Sequence, residues 1–103
     1  MADRIDSDDA FTGRSKLAVG RRLALSRKAL GLNQTQFAER CGIHKNTYNQ
    51  YEVGTNYPKI VSAFSIKDEY GLPLEWIYDG DNSELPHKLA EAIKHLHDLQ
   101  IDH

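Results

Sequence analysis

The sequence predicts an all-α domain of five short helices with a sixth added at the C-terminus. Three observations carry that expectation. Apolar residues recur at helical spacing in successive segments. Gly31, Gly42 and Gly71 stand where such segments stop, and glycine takes the left-handed conformation that closes a helix. Asn33 is followed three positions later by Gln36, a Gln form of the capping box that starts one. With 103 residues, 40% of them apolar, the chain has enough for one core and too little for a second domain of usual size.

Residues 1–13 carry four Asp against one Arg and few apolar side chains, so this segment is expected to be flexible, with a short turn near Phe11. The first helix is expected to begin between Arg14 and Leu17 and to run to Leu30, with Val19, Leu23, Ser26, Ala29 and Leu30 on its inner side. Gly20 within it costs about 1 kcal/mol relative to Ala, which is tolerable near a helix start. The second helix runs from Gln34 to Cys41 with Phe37, Ala38 and Cys41 inward, and Ile43 anchors the turn beyond Gly42. Cys41, the single cysteine, has no partner within the chain for a disulfide and occupies a packing slot, so a structural thiol is expected there.

The third helix, about Lys45 to Val53, places Tyr48 and Tyr51 on one side and Lys45, Asn46, Asn49 and Gln50 on the other. That second stripe is polar yet carries one charge. Amide side chains bond the N6 and N7 edge of adenine through two hydrogen bonds, and lysine donates to O6 and N7 of guanine, so the stripe suits base edges. Taken alone, it fits a solvated surface helix equally well. Charge distribution bears on the choice. The net charge of −2 divides into −3 for residues 1–13, +7 for residues 14–59 and −6 for residues 60–103, so positive charge coincides with the proposed reading unit.

A resemblance adds to this. Leu17 to Leu23, Arg27 to Gln34, Phe37-Ala38, Gly42-Ile43, Thr47-Tyr48 and Tyr51 to Gly54, in this order and spacing, resemble the Cro and phage-repressor type helix-turn-helix family, also called the XRE family. Pro58, Ile60, Phe64, Ile66, Tyr70, Gly71, Leu74, Trp76 and Gly80 extend the likeness, which covers nearly all of residues 17–80. It implies a lambda-repressor-like fold, with the third helix as the recognition helix reading bases through Lys45, Asn46, Asn49 and Gln50. It also implies phosphate contacts from Gln34 at the start of the second helix and Asn56 in the loop after the third, joined in our reading by Thr35, Arg40 and Lys59; Lys45 suits a phosphate as well as a base. It further implies that Arg27 pairs with Glu52 and ties the first helix to the third. Three positions depart from the family pattern. His44 replaces the usual Ser or Thr cap, which implies a looser or pH-sensitive helix start; Val53 replaces a polar residue; and Lys67 fills a slot that is usually small, which implies a shifted fourth helix.

Pro58 is expected to open a fourth helix through Tyr70, with Ile60, Ala63, Phe64 and Ile66 in the core. Pro73, at its first position, starts a fifth, in which Leu74, Trp76 and Ile77 close the core. Ser83 is expected to cap a sixth helix from Glu84 to about Gln100, and Leu85, Leu89, Ala92, Ile93, Leu96 and Leu99 make a narrow apolar stripe along it. That stripe either folds back on its own domain or pairs with a second copy. Dimerisation would space two recognition helices by about one DNA turn, ~34 Å. His87, Glu91 and His95 share a face but do not make a full metal-ligand set, so neither a metal nor a cofactor is expected. There is no Gly-rich phosphate loop and no catalytic carboxylate motif, which argues against an enzyme. The acidic start and the lack of a long apolar run point to a cytoplasmic chain without a membrane segment.

The sequence therefore divides into a flexible acidic segment (1–13), a helix-turn-helix DNA-binding domain (14–80) and a C-terminal helix (81–103). The function expected is that of a transcriptional regulator that binds a double-stranded operator, as a homodimer. The alternative is a protein-interaction module, or an antitoxin-type partner of a toxin, that keeps the helix-turn-helix as scaffold and binds its partner through the last helix.

Overall fold

The computed structural model describes residues 12–101, and its regular elements are all helices: α1 (Lys16–Ala29), α2 (Gln34–Cys41), α3 (Lys45–Val53), α4 (Ile60–Tyr70), α5 (Leu74–Asp79) and α6 (His87–Ile101). The expectation of a flexible N-terminal segment falls on residues 1–11, outside the described residues, and on Thr12 and Gly13, the latter of which is buried.

Side-chain caps fix the starts of α1, α2 and α3. Ser15 Oγ accepts from the Ala18 N–H at 3.0 Å and caps α1. At α2 the capping box is complete: Gln36 N–H donates to Asn33 Oδ1 at 2.8 Å, and Asn33 N–H donates to Gln36 Oε1 at 3.0 Å. Helix α5 begins after Pro73, which lies just outside it as the cap residue rather than at its first position.

Helix α1 packs against α3, α5 and α6, so the core forms around it. Trp76 is fully buried, and its Nε1 donates to Ser26 Oγ at 2.9 Å, while that hydroxyl donates to the Arg22 carbonyl at 2.7 Å. The weak apolar slot at Ser26 is thus a polar contact that satisfies the indole. On the other side of the core Phe37 stacks on Tyr70 at 4.2 Å between centroids and lies 4.9 Å from Tyr48, joining α2, α4 and α3. The Tyr70 hydroxyl donates to the Phe37 carbonyl at 2.8 Å. Beside it, burial pushes the Cys41 thiol up to about 11, so it stays protonated near neutral pH, the state of a packing residue.

Four further expectations are corrected. Ile60 and Phe64 were expected in the core and are 54% and 47% exposed, because α4 turns Ala63 and Ile66 inward. The helix starts at Ile60 rather than Pro58, with Lys59 as its cap residue. Helix α6 starts at His87 rather than Glu84. Ser83 spends its N–H and hydroxyl on Asp81 Oδ1, at 2.9 and 2.7 Å, and Pro86 disfavours helical geometry at Leu85. Arg22, one of the basic residues behind the +7 of residues 14–59, is wholly buried and adds nothing to a basic surface; its Nε donates to the Ile77 carbonyl at 3.1 Å and its guanidinium lies 5.9 Å from the centre of the Trp76 ring.

The apolar stripe of α6 folds back. Leu85 and Ile93 are buried in the common core, and Leu89, Ala90 and Leu96 pack against it, while Leu99 at the far end is exposed. The last helix is thus built into the domain.

Candidate nucleic-acid interface

Helices α2 and α3 are joined by residues 42–44, and the chain can turn this tightly because Gly42 adopts φ +70°. Tyr48 and Tyr51 are buried on the inner side of α3, and the Tyr51 hydroxyl shares a hydrogen bond with Ser62 Oγ of α4 at 3.2 Å. With those rings fixed inward, Lys45, Asn46, Asn49 and Gln50 are all exposed on the opposite side. The structure therefore brings the four expected base-reading residues onto one open helix face.

Both ends of α3 are pinned. At its start His44 does not leave the helix loose: its Nδ1 accepts from the Asn46 N–H at 3.1 Å. A protonated imidazole has no lone pair there, so this cap exists only with the neutral ring. At its end Gly54 adopts φ +84°, and the N–H groups of Thr55 and Asn56 both donate to the Gln50 carbonyl, at 3.0 and 3.4 Å.

Glu52 is the hub that fixes α3 to its neighbours. Arg27 Nε donates to Glu52 Oε2 at 2.7 Å and Arg27 Nη2 to Oε1 at 3.1 Å, a two-pronged pair whose side chains are 13% and 5% exposed. The Tyr48 hydroxyl also donates to Oε2, and Gln34 Nε2 donates to Oε1 at 2.9 Å. Arg27 Nη1 reaches the Leu32 carbonyl at 3.0 Å. The hydrogen bond to Glu52 raises the Arg27 pKa further, while burial, aided by the Glu52 carboxylate, raises that of Tyr48, so the guanidinium stays charged and the phenol remains a donor.

The expected phosphate ligands divide. Arg40 and Lys59 are exposed, and Thr35 is half-buried in the first turn of α2. Gln34 stands next to it, with its side-chain amide engaged by Glu52. Asn56 is exposed, but its Nδ2 donates to Gln50 Oε1 at 2.8 Å, so its amide is joined to the reading stripe. The links from Gln34 to Glu52 and from Asn56 to Gln50 escaped the sequence reading, because no local pattern marks an amide that bonds a side chain on another element. Among the nine basic residues of 14–59, Arg22 is buried, Arg27 is held by Glu52 and Arg14 pairs with Asp79, whereas Lys16, Arg21, Lys28, Arg40, Lys45 and Lys59 are exposed.

A helix-turn-helix family profile matches residues 23–77, which run from the middle of α1 into α5. The chain belongs to the XRE-type helix-turn-helix family. Within the XRE-type family it is 32% identical over 68 residues to the cryptic phage CTXphi transcriptional repressor RstR of Vibrio cholerae, a match that covers 66% of this chain and 61% of that protein. No solved structure matches the chain. The XRE-type match stops short of α6. No helix among the described residues is long and apolar enough to cross a membrane.

Proposed function

We propose that this chain is a sequence-specific, double-stranded DNA-binding transcriptional regulator of the repressor kind, with α3 entering the major groove. The observation that carries the reading is the open stripe of Lys45, Asn46, Asn49 and Gln50 on a helix whose other face is locked by two buried tyrosines. A rigid helix presenting amides to a groove meets the geometric demand of direct readout. Similarity to a phage transcriptional repressor supports the same class. Gln34 and Thr35 at the positive end of α2, with Arg40 and Lys59, hold flanking phosphates and set the docking angle. The Glu52 network keeps that phosphate clamp and the recognition helix in fixed relation.

Titration of a fluorescent duplex from upstream of the chain's own gene tests this, comparing wild type with the Asn46→Ala plus Gln50→Ala double variant. Truncating an amide that reads a base edge costs about 1–3 kcal/mol and relaxes sequence preference, whereas non-specific binding through phosphates persists and weakens steeply with salt. Equal affinity of the two proteins for every duplex would refute base reading by α3.

The alternative, a module that binds a protein through the last helix, has less support, since Leu85 and Ile93 are buried against the domain itself. The same burial moves the expected homodimer contact away from α6. Ile60, Val61 and Phe64 form an exposed apolar edge on α4, 54%, 74% and 47% accessible. Three side chains expose a few hundred Å², short of the ~800 Å² per partner that a standard interface buries, so a dimer through this edge is weak in solution and is completed on a palindromic operator. Val61→Glu, harmless to the fold at an exposed site, is expected to abolish concentration-dependent association in sedimentation velocity and to weaken binding to a two-site operator at least tenfold while sparing a half-site. Unchanged sedimentation and unchanged two-site affinity would place the contact elsewhere.

A further inference from the structure

The hydrogen bond between Asn56 and Gln50 bears on which base is read. Asn56 Nδ2 donates to Gln50 Oε1 at 2.8 Å, while the Asn56 and Thr55 N–H groups bond the carbonyl of that same Gln50. The loop is therefore anchored to the residue it orients, and Gly54 at φ +84° supplies the bend that brings it there. A glutamine that reads adenine uses both ends of its amide, accepting from N6 and donating to N7. In this arrangement Asn56 takes one lone pair of Gln50 Oε1 and holds that oxygen toward the loop, while both Nε2 hydrogens stay available as donors. Donors facing outward match an edge made only of acceptors, which in the major groove is N7 and O6 of guanine.

We propose that Asn56 is a positioning residue for base readout, holding the Gln50 amide with its donors toward the DNA and so selecting guanine rather than adenine at one operator position. The inference rests on the DNA-binding reading above. It assigns Asn56 to sequence preference, where the family resemblance alone implies a phosphate contact.

The chemistry supplies a test in which the polarity reverses. In Asn56→Asp the carboxylate only accepts, so Gln50 must turn its Nε2 toward it and present Oε1 outward, an acceptor suited to the N6 or N4 amino group of adenine or cytosine. Selection of bound duplexes from a randomised library is run with wild type, Gln50→Ala, Asn56→Ala and Asn56→Asp, and Gln50→Ala identifies the position that Gln50 reads. Wild type is expected to favour guanine there by roughly tenfold. Asn56→Ala is expected to lose that preference, and Asn56→Asp to move it to adenine or cytosine, with all other positions unchanged. A negative charge beside DNA lowers affinity generally, but that loss is uniform across sequences and does not move one base preference.

The proposal is overturned if wild type selects adenine at the position that Gln50 reads. It is equally overturned if both Asn56 variants keep the wild-type preference and only lose affinity, the signature of a lost phosphate hydrogen bond, which carries no sequence information. Either result leaves base reading by α3 intact. Wild-type protein that selects no sequence at all removes the DNA-binding reading and this proposal together.

Discussion

Replacing Glu52 with Ala is expected to destabilise the domain by about 3–5 kcal/mol, because removal of one partner from a buried ion pair leaves the other charge without compensation. At 5% and 13% exposure, Glu52 and Arg27 are too enclosed for water to take over. Three donors lose their acceptor at once: the Arg27 guanidinium, the Tyr48 hydroxyl and the Gln34 amide. Small domains have about 5–15 kcal/mol in total, so a large part of the folded population is at stake. With a shift of about 4–8 °C per kcal/mol, thermal unfolding followed by circular dichroism should show a drop of well over 10 °C. A double change of Arg27→Met with Glu52→Leu should recover much of the loss, since the desolvation cost of both charges disappears. A melting temperature within 2–3 °C of wild type for Glu52→Ala, a shift of well under 1 kcal/mol, would mean that the pair is solvated and that α3 is held by its tyrosines alone.

Gly20→Ala is the second large effect, and its sign runs against helix propensity. On propensity alone the change favours α1 by about 1 kcal/mol. The helix, however, crosses α3 at this point so closely that a Cβ on Gly20 would lie 2.9 Å from the Glu52 carbonyl carbon and nearer still to the carbonyl oxygens of Tyr51 and Glu52. These are backbone atoms at the end of α3, so no side chain can rotate aside. Helices α1 and α3 must separate, and overpacking of this kind costs about 1–3 kcal/mol or more. Urea denaturation should show a lower midpoint with an unchanged slope. A midpoint equal to or above that of wild type would show that the crossing has room for a methyl group. The displaced α3 should also weaken operator binding at temperatures where the variant is folded, because the Glu52 network and the reading stripe ride on the same helix.

These two positions show how far the sequence could be read. Helices α2 and α3 were legible almost to the residue, because their limits are set by local chemistry: the reciprocal bonds of Asn33 and Gln36, and the left-handed glycines at 42 and 54. The outward stripe of α3 was legible too, since Tyr48 and Tyr51 fix by helical spacing which side is buried. Where a side chain's role depends on another element, local pattern was insufficient. Gly20 reads as a weak helix former until the carbonyls of α3 are placed beside it. Arg22 reads as one more positive charge in the sum for residues 14–59 until the Ile77 carbonyl and the Trp76 ring are placed next to it. Ile60 and Phe64 read as core because they are apolar, yet the rotation of α4 is decided by Ala63 and Ile66, whose small and branched side chains seat against the other helices.

The sequence by itself determined the helical class, the limits of α2 and α3 and the family, because caps, turns and periodicity act over three or four residues and need no distant partner. Tertiary structure alone decided that the last helix closes over α1, that Glu52 gathers Arg27, Tyr48 and Gln34, and that Asn56 holds Gln50. Each of these joins groups on different elements. Hydrogen bonds and apolar burial act over a few ångströms of space whatever the number of residues between the partners, so only the packed chain reveals them.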